Sequence, residues 1–488
     1  MKKLLSGLTF VCAIFVLSNT TGIQVARAAD TSTPGVEGAW TGTLDAMGTK
    51  LTIVFRVAKN PDGSWKTLLD SPDQGARDIP VSETVIRGDS LIFKSAAVMG
   101  TYEGLIQPDG KTALGTWKQG GASLPLTLTK TDQAPTVTIN RPQEPKPPFP
   151  YKQEEVAVKN EKAGVVLSGT LTLPEQGGPF AAVVMITGSG PQDRDEQLLG
   201  HKPFLVIADY LTRRGVAVLR CDDRGIGKST GDFAKATSVD FASDALSAVA
   251  FLKSRKDIDP KQIGLAGHSE GAIIAPMVAN QSKDVAFVIL LAGPGMKGED
   301  LLYLQAARIY QAMGVDEKTI SESEATQRKM FEVLKSEKDD AVAEKKLREI
   351  LNKAAEEMTV EEKAKTGSND AAIDMQIKRV LTPWFRFFLA YDPAVELSRL
   401  RCPVLALWGE KDLQVPPKEN MPLVEQALKK AGNNQAVLKV LPGLNHLFQT
   451  ANTGSPSEYA QIEETFSPAA LTIIGDWITG RTAERGAQ

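Results

Sequence analysis

Two hydrophobic patterns divide the chain into regions with different predicted folds. Between Gly38 and about Lys130, apolar and polar residues alternate, and this two-residue period is typical of half-buried β-strands. Turn sequences rich in Gly, Pro, Asn and Asp interrupt the alternation at short intervals. We therefore predict a small all-β domain over residues 36–131.

A Gly-x-Trp sequence occurs near each end of this predicted domain. Gly38-Ala39-Trp40 and Gly115-Thr116-Trp117 are assigned to its first and last strands, which favours a barrel-like sheet that closes on itself. Tryptophan side chains are mostly buried in folded proteins. The two tryptophans are therefore expected in the core of the domain rather than at a binding surface.

From Tyr151 onward, continuous apolar runs replace the alternation, and helical patterns lie between most of them. The runs are residues 181–186, 216–219, 263–266, 287–291, 404–407 and 437–441. Strands that are apolar throughout are buried on both faces, as in a mostly parallel sheet covered by helices. One such helix is predicted at Val239–Leu252, with Ser238 as its N-cap. This α/β domain is expected to comprise residues 151–295 and 401–480.

Two further segments complete the predicted organisation. Several closely spaced prolines predict an extended, semi-rigid linker over residues 132–150. Residues 296–400 lie between two predicted sheet strands and are charge-dense and helical in pattern. A helical insertion at this position is typical of a lid or cap.

The first residues have the features of an export signal. Met1-Lys2-Lys3 is basic, Leu4 to Leu17 is apolar, and Ala26-Arg27-Ala28 provides a small-residue cleavage site. We expect residues 1–28 to be removed and the mature protein to be exported, to the periplasm or the medium. No other segment is predicted to cross a membrane.

Composition argues against several functional classes. A net charge of -3 over 488 residues gives no electrostatic basis for binding nucleic acid or an anionic membrane surface. Cys221 and Cys402 have no metal-ligand spacing. They are predicted to lie at opposite ends of parallel strands, too far apart for a disulfide. We predict no metal and no other cofactor, and the sequence leaves the oligomeric state open.

A candidate nucleophile lies where one apolar run meets a helical pattern of small residues. Gly267-His268-Ser269-Glu270-Gly271 follows the run that ends at Ala266. A G-x-S-x-G sequence between strand and helix is typical of a nucleophile elbow, in which the serine hydroxyl projects at the carboxyl end of a strand. Ser269 is therefore predicted to be the catalytic nucleophile.

A serine nucleophile needs a base, and the base needs an acid that orients it. His446 follows the last apolar run, whereas His201 lies upstream of the elbow and His268 adjoins the serine. We predict His446 as the base. Asp412 follows the preceding run and is preferred to Glu410 as the acid. The order Ser, Asp, His is that of the α/β-hydrolase fold.

The oxyanion of a tetrahedral intermediate requires two hydrogen-bond donors. The backbone N–H of Glu270 is predicted to be one, and the loop after the 181–186 run to supply the other, from Ser189 first or Gly190 second. The neighbouring segment 222–229 lacks the spacing of a phosphate-binding loop. It is predicted to be a structural loop beside the site.

Aromatic residues crowd into one stretch near the end of the insertion. Trp384, Phe387, Phe388 and Tyr391 recur at three- and four-residue spacing, beside Phe385. An ordinary buried helix accounts for such a pattern equally well. The functional alternative is that Trp384, Phe385 and Phe388 form the roof of a short acyl pocket.

Several separated motifs then carry a resemblance to a known family. They are residues 186–195 (ITGSGPQDRD), 223–229 (DRGIGKS), 267–271 (GHSEG), 409–415 (GEKDLQV) and 445–448 (NHLF). In this order they resemble the secreted bacterial EstD-type esterases of the α/β-hydrolase superfamily, which are often described as prolyl-oligopeptidase-like or dienelactone-hydrolase-like.

The resemblance covers roughly Tyr151 to Gly480. It implies carboxylic-ester hydrolysis with Ser269, Asp412 and His446 as the triad. The β-domain resembles a module found upstream of some of these hydrolases. One departure is Ala272, where the family more often has glycine, and this slightly alters the packing of helix on strand.

The sequence thus predicts a serine carboxylesterase that acts on a small-molecule ester, with short acyl chains preferred. A peptidase, amidase or thioesterase of the same fold is the first alternative, although residues 36–131 are too few for the propeller that restricts access in prolyl oligopeptidases. A non-catalytic binding protein on a hydrolase scaffold is the second alternative. An intact Ser-Asp-His set argues against it.

Overall fold

The computed structural model describes residues 35–46, 49–74, 76–95, 97–98, 100–119, 122–131, 140–358 and 370–486. The chain forms two structural units. One contains the strands that precede Asn140 together with Lys345–Lys378, and the other contains Arg141–Glu344 and Arg379–Gln488. The predicted signal peptide and residues 132–139 of the predicted linker lie outside the described residues.

The first unit is built on one nine-stranded antiparallel sheet. Its strands β1–β9 are Gly38–Ala46, Thr49–Lys59, Trp65–Ser71, Ala76–Pro80, Glu83–Arg87, Ser90–Ser95, Gly100–Ile106, Thr112–Gln119 and Ala122–Thr131. The order across the sheet is β4-β3-β2-β1-β9-β8-β7-β6-β5. The prediction of an all-β region is therefore confirmed for the described strands.

The prediction of a closed barrel is corrected to an open half-barrel. The first and last strands do pair, with Trp40 opposite Lys130, but this pair lies in the middle of the sheet and β4 and β5 form its two edges. The second Gly-x-Trp sequence lies in β8, the penultimate strand. The two Gly-x-Trp sequences lie in β1 and β8 of the same sheet, but they do not indicate which strands form its edges.

The core of this unit is aromatic, as expected for both tryptophans. Trp40 and Trp117 are 0% and 2% exposed, and the Phe55 ring lies 6.0 Å from that of Trp117 and 5.7 Å from that of Tyr102. Gly115 makes room for this packing, because a Cβ there would lie 2.6 Å from the Tyr102 ring. The glycine of the Gly-x-Trp sequence in β8 thus accommodates a neighbouring aromatic ring.

The second unit is built on an eight-stranded sheet. Its strands β10–β17 are Tyr151–Asn160, Val165–Pro174, Phe180–Ile186, Ala217–Cys221, Ile258–His268, Val285–Leu291, Val404–Gly409 and Ala436–Leu441. The order is β10-β11-β13-β12-β14-β15-β16-β17. The strands from β13 to β17 along this order are parallel, and β10 and β11 are antiparallel to their neighbours.

Helices cover this sheet, which confirms the predicted α/β fold. In chain order, the helices of the described residues are α1–α11: Pro203–Arg213, Ser238–Lys253, Gly271–Gln281, Gly298–Ala312, Glu317–Ser336, Asp340–Glu356, Asp370–Val380, Pro383–Ala390, Ala394–Leu397, Pro417–Lys430 and Pro468–Gly486. Most of α6 and α7 belongs to the Lys345–Lys378 segment of the first unit. Apolar side chains of α1 and α11, such as Phe204 and Ile474, share one buried cluster with Val183 and Leu405 of the strands. No described helix combines the length and the apolar character that a bilayer crossing requires.

Helix α2 begins one residue before the predicted Val239, and its cap is different. Thr237, not Ser238, is the N-cap residue, and the Asp240 carboxylate accepts the Thr237 N–H at 2.9 Å in a capping box. Ser238 is the first helical residue, and its hydroxyl donates to the carboxylate of Glu270 at 2.6 Å. The Ser238 hydroxyl is therefore bonded to Glu270 and does not cap the N-terminus of α2.

The described part of the predicted linker does more than separate domains. The Arg141 guanidinium donates to the carbonyl oxygens of Leu199, Ala460 and Ile462. The Gln143 side chain accepts the Thr465 N–H at 2.6 Å. Residues from Arg141 onward are therefore anchored on the α/β unit, although their proline spacing predicted only a spacer.

Candidate active site

Ser269 lies at the sharp corner between β14 and α3. Its backbone φ of +53° is in the left-handed region, which is rare for a residue other than glycine. The corner depends on two glycines. A Cβ at Gly267 would lie 2.0 Å from the Gly271 carbonyl oxygen, and one at Gly271 would lie 2.1 Å from the Ile186 carbonyl oxygen. The pentapeptide therefore has the strained strand-to-helix geometry of a nucleophile elbow.

His446 and Asp412 form a buried hydrogen-bonded pair. His446 Nδ1 lies 2.8 Å from Asp412 Oδ2, and the two residues are 4% and 2% exposed. The other carboxylate oxygen, Oδ1, accepts the N–H groups of Gln414 and Val415, each at 2.8 Å. These bonds fix the carboxylate against the imidazole. Because Nδ1 faces the carboxylate, Nε2 is the nitrogen left for proton transfer.

The loop that carries His446 is stiffened by its own side chains. Asn445 Oδ1 accepts the N–H groups of Leu447 at 3.0 Å and of Gln449 at 2.9 Å. Asn445 is fully buried, and so is Phe448, whose φ is +59°. A loop held by buried side-chain bonds keeps the imidazole in one position.

The Ser269 hydroxyl forms no hydrogen bond within the described part of the chain. Its neighbour His268 lies against the proposed base, with 4.8 Å between the ring centroids of His268 and His446. Hydrogen bonds of a reacting hydroxyl are often formed only when substrate is bound. The described residues therefore show no serine–histidine hydrogen bond, and the link between the serine corner and the His446–Asp412 pair runs through His268.

The rival candidates from the sequence have other partners. Glu410 Oε2 accepts the Gly443 N–H at 2.8 Å and makes no bond to His446. The His201 ring is buried between Thr465 Oγ1 and the Tyr459 carbonyl oxygen, each 2.9 Å away. Burial, with the nearby Arg141 charge, lowers the His201 pKa to about 4, so this histidine is neutral and structural.

The two cysteines are free thiols, as predicted. Burial raises the pKa of Cys221 to about 12 and that of Cys402 to about 11. Neither is a thiolate at neutral pH, so neither is an alternative nucleophile. Among the described residues, no group of three or more His, Cys, Asp or Glu side chains is arranged to hold a metal ion.

The loop predicted to supply one oxyanion donor passes close to the serine. Gly188 lies next to Ser269, because a Cβ at Gly188 would be 3.4 Å from the Ser269 Cβ. The Gly188 N–H is already donated to Glu196 Oε1 at 2.7 Å. The N–H groups of Ser189 and Glu270 donate to no other described residue. The geometry therefore leaves these two groups, which the sequence also favoured, available for a developing negative charge.

The side chain of Glu270 has a position that the sequence did not predict. It is 3% exposed, and its Oε1 accepts the Ser238 hydroxyl at 2.6 Å and the Trp384 indole N–H at 2.7 Å. Burial raises the pKa of this carboxyl to about 7, against the two hydrogen bonds, which lower it. A buried carboxyl therefore connects the residue after the serine to helix α8 of the insertion.

The predicted pocket aromatics separate into different environments. Trp384 is half-buried and stacks on Phe388 at 5.2 Å, beside the Glu270 carboxyl. Phe385 instead packs edge-on against Phe331 of α5, with 5.7 Å between their rings. Phe385 thus belongs to the core of the helical insertion, whereas Trp384 reaches the residue next to Ser269.

A narrow cavity adjoins the oxyanion loop. It is lined by Gly188, Cys221, Asp223, Phe233 and Phe241, among others. Asp223 accepts the Thr187 hydroxyl and the Gln192 N–H, each at 2.9 Å, and burial raises its pKa well above the ordinary value. Segment 222–229 therefore supports the loop that contains Ser189, in agreement with the structural role predicted for it.

Glu196 is the residue beside the site that sequence reasoning missed. It is 6% exposed, has a left-handed backbone with φ of +51°, and contacts both Gly188 and His268. In the sequence it follows a run of charged residues, Asp193-Arg194-Asp195, which looks like a solvated loop. Only the folded geometry shows that this carboxylate turns inward.

The fold and the corner at Ser269 define a hydrolase of the α/β-hydrolase class. The chain belongs to the family described as serine aminopeptidase, S33, whose model matches residues 203–450.

The chain is also similar to a curated protein, esterase EstD from Thermotoga maritima. The two are 28% identical over 317 residues, which is 64% of this chain and 64% of the length of EstD. The match therefore spans less than two thirds of its relative.

Solved structures give more distant similarities. The esterase Pf2001 of Pyrococcus furiosus is 16% identical, with 62% of this chain and 89% of the other covered at a TM-score of 0.40. Est1E of Butyrivibrio proteoclasticus, solved with ferulic acid, is 16% identical, with 68% and 100% covered at a TM-score of 0.39. A dienelactone hydrolase of Anabaena variabilis is 14% identical, with 68% and 99% covered at a TM-score of 0.37.

Proposed function

We propose that this protein is a serine carboxylesterase that cleaves short-chain acyl esters of small molecules. Ser269 is the nucleophile, His446 the base and Asp412 the acid that orients it. Two observations carry the proposal: the left-handed serine at a strand–helix corner whose neighbour His268 packs against His446, and the buried His446–Asp412 hydrogen bond of 2.8 Å. The similarity to EstD, named as an esterase, supports the ester as substrate.

The mechanism follows from the positions of these groups. His446 Nε2 takes the proton of the Ser269 hydroxyl as its oxygen attacks the ester carbonyl carbon. The carbonyl oxygen becomes an oxyanion that accepts the N–H groups of Glu270 and Ser189. The protonated imidazole then gives its proton to the departing alcohol, which leaves an acyl group on the serine. Water, activated by the same imidazole, releases the acid and restores Ser269.

The surroundings of Asp412 favour this role. Its carboxylate accepts two backbone N–H groups besides the imidazole, and these bonds fix its orientation. A fixed carboxylate holds His446 in the tautomer with Nδ1–H and stabilises the imidazolium that forms during the reaction.

The substrate preference rests on Trp384. Its indole N–H is held by Glu270, and its ring is stacked on Phe388. We propose that these two rings form the roof of the acyl pocket and limit its depth. Gly190, with φ of +97°, gives the oxyanion loop its close approach to substrate.

A substrate panel tests the reaction class. It consists of nitrophenyl esters of increasing acyl length, an acyl thioester, a lactone and aminoacyl nitroanilides, each assayed with the wild-type enzyme and Ser269→Ala. We expect the short acyl esters to be hydrolysed fastest, and Ser269→Ala to lose that activity. If the aminoacyl nitroanilides were the preferred substrates, the esterase proposal would be replaced by the peptidase alternative, which the description of the family favours.

We also propose that the enzyme is exported after removal of residues 1–28. The basic, apolar and small-residue segments at the start of the sequence support this. The mass of the protein recovered from the cell envelope or the medium tests it, with the expected first residue at Ala29. The proposed mechanism uses side chains and backbone groups alone, and we propose that it requires no cofactor.

A further inference from the structure

The imidazole of His268, one residue before the proposed nucleophile, lies between two hydrogen-bond acceptors. Its Nδ1 is 3.0 Å from Glu196 Oε1, and its Nε2 is 3.0 Å from the backbone carbonyl oxygen of His446. His268 is 7% exposed and Glu196 6% exposed. A neutral imidazole has a single N–H and can donate to only one of these oxygens. Only the imidazolium form satisfies both.

Besides His268, the Glu196 carboxylate also binds the oxyanion loop. The same Oε1 accepts the Gly188 N–H at 2.7 Å. This pair of residues therefore contacts the oxyanion loop through Gly188, the serine corner through His268, and the base loop through the carbonyl group of His446. The three segments follow three different strands, and each supplies one part of the proposed site.

The loop around Glu196 is built to hold it there. The left-handed backbone of a non-glycine residue is strained and persists only where the surroundings fix it. The Asp193 carbonyl oxygen accepts the Glu196 N–H at 3.0 Å. Two residues before Glu196, Arg194 donates three bonds to the buried Asp222, one from its backbone N–H at 2.9 Å and two from its guanidinium at 3.0 Å and 2.8 Å. The inward position of the carboxylate is therefore enforced by its neighbours.

We propose that Glu196 is a positioning residue, which keeps His268 in the imidazolium form so that one cation ties the oxyanion loop to the base loop behind Ser269. This inference rests on the proposed function. It extends that function by assigning a role to two residues outside the triad.

The charges around His268 support this assignment. Burial alone lowers the pKa of His268, but the Glu196 charge and hydrogen bond, the His446 carbonyl oxygen and the more distant Asp412 charge raise it, and the net shift is upward. The His446 ring is 4.8 Å away. Asp223, whose own pKa is raised well above the ordinary value by burial and, to a lesser degree, by charges that include Glu196, lies further along the loop cluster. Among these groups, Glu196 is the one that opposes burial most strongly.

The substitution Glu196→Gln tests the charge while keeping the shape. Without the carboxylate, burial lowers the pKa of His268, and a neutral imidazole loses one of its two bonds. We expect kcat to fall by about 100-fold at about pH 8, since a small displacement of catalytic groups costs that much, with a smaller change in KM. As the pH falls through the range in which histidine ordinarily gains its proton, more of the variant regains the second N–H of His268, and the ratio of variant to wild-type kcat should rise.

Glu410→Gln is the matched control. Glu410 also accepts a backbone N–H beside the site, but it faces no histidine. The ratio of the Glu410→Gln kcat to the wild-type kcat should not change with pH. If the ratio for Glu196→Gln were equally constant, Glu196 would be a plain structural support and the inference would be overturned.

A second measurement depends neither on hydrolysis nor on Glu196→Gln. The chain has three histidines, so ¹⁵N NMR of histidine-labelled wild-type protein can resolve the imidazole nitrogens. Single substitutions of the histidines serve only to assign each signal to its residue. We expect both nitrogens of His268 to remain protonated at pH values at which an ordinary histidine, with a pKa of about 6.5, has lost one proton. A neutral His268 there would refute the inference even if Ser269→Ala abolished activity. A protonated His268 alongside an active Ser269→Ala variant would instead refute the proposed function and leave the charge assignment standing.

Discussion

The buried carboxyl of Glu270 predicts an unusual dependence of stability on pH. An unfolded glutamate ionises near its ordinary pKa of 4.5, whereas burial raises the pKa of folded Glu270 to about 7. Between these values the folded protein keeps a proton that the unfolded chain has lost. Because the unfolded state then binds fewer protons, this group makes the fold less stable as pH rises from about 4.5 to about 7, and the loss is complete above that range.

The magnitude follows from the same two values. The difference between 4.5 and about 7 corresponds to about 3 kcal/mol of unfolding free energy above neutral pH. Glu270→Gln removes the ionisation but keeps an oxygen that accepts the Ser238 hydroxyl and the Trp384 indole. We therefore expect the variant to match the wild type near pH 4.5 and to be more stable by up to about 3 kcal/mol at about pH 8.

Urea unfolding of both proteins at a series of pH values measures this difference, since the other titrating groups are common to both. Glu356→Gln, at an exposed position, is the control and should show no pH-dependent difference. A constant difference between Glu270→Gln and wild type across the series would show that Glu270 ionises normally. The account of a buried, protonated carboxyl beside Ser269 would then be wrong.

Three further predictions concern the acid, the pocket and the domain boundary. Asp412→Asn should lower kcat by about 10⁴-fold, because the wrong tautomer of His446 is held, whereas Glu410→Gln should lower it less than about threefold; esterase kinetics decide, and the reverse result would exchange their roles. Trp384→Ala should move the preferred acyl length upward. Phe385→Ala, which removes the ring contact with Phe331, should lower the free energy of unfolding by about 3 kcal/mol without changing the preferred acyl length. If neither variant changed the preferred acyl length, Trp384 would be an ordinary core residue. A chain that begins at Asn140 should be more stable to urea than one that begins at Tyr151, because the latter lacks the three carbonyl bonds of Arg141; equal midpoints would contradict an anchoring role for this segment.

Much of the α/β unit follows from local sequence patterns. Its buried strands are continuous apolar runs, and the corner at Ser269 is specified by Gly267 and Gly271, whose spacing is visible in the sequence. Asp412 and His446 could be proposed because parallel strands place the loops at their carboxyl ends along one edge. These features depend on residues close together in the chain or on a known order of strands.

What the sequence did not predict depends on distant partners. The inward turn of Glu196, the indole bond to Glu270 and the edges of the half-barrel each join residues far apart in the chain. A charged residue in a polar loop gives no local signal of burial, and its carboxylate enters the site only because Arg194 and Asp193 fix the loop. The cap of α2 was misplaced by one residue for the same reason, since Ser238 has its acceptor on Glu270.

The nucleophile is the central element of this account, and one labelling experiment tests it most directly. The protein is treated with a fluorophosphonate, which reacts with activated serines, and is then analysed by intact mass and peptide mapping. We predict one adduct, on the peptide containing Ser269. Ser269→Ala should give no adduct and at least a ~10³-fold lower rate of ester hydrolysis. Labelling of a different residue, together with ester hydrolysis retained by Ser269→Ala, would contradict the account.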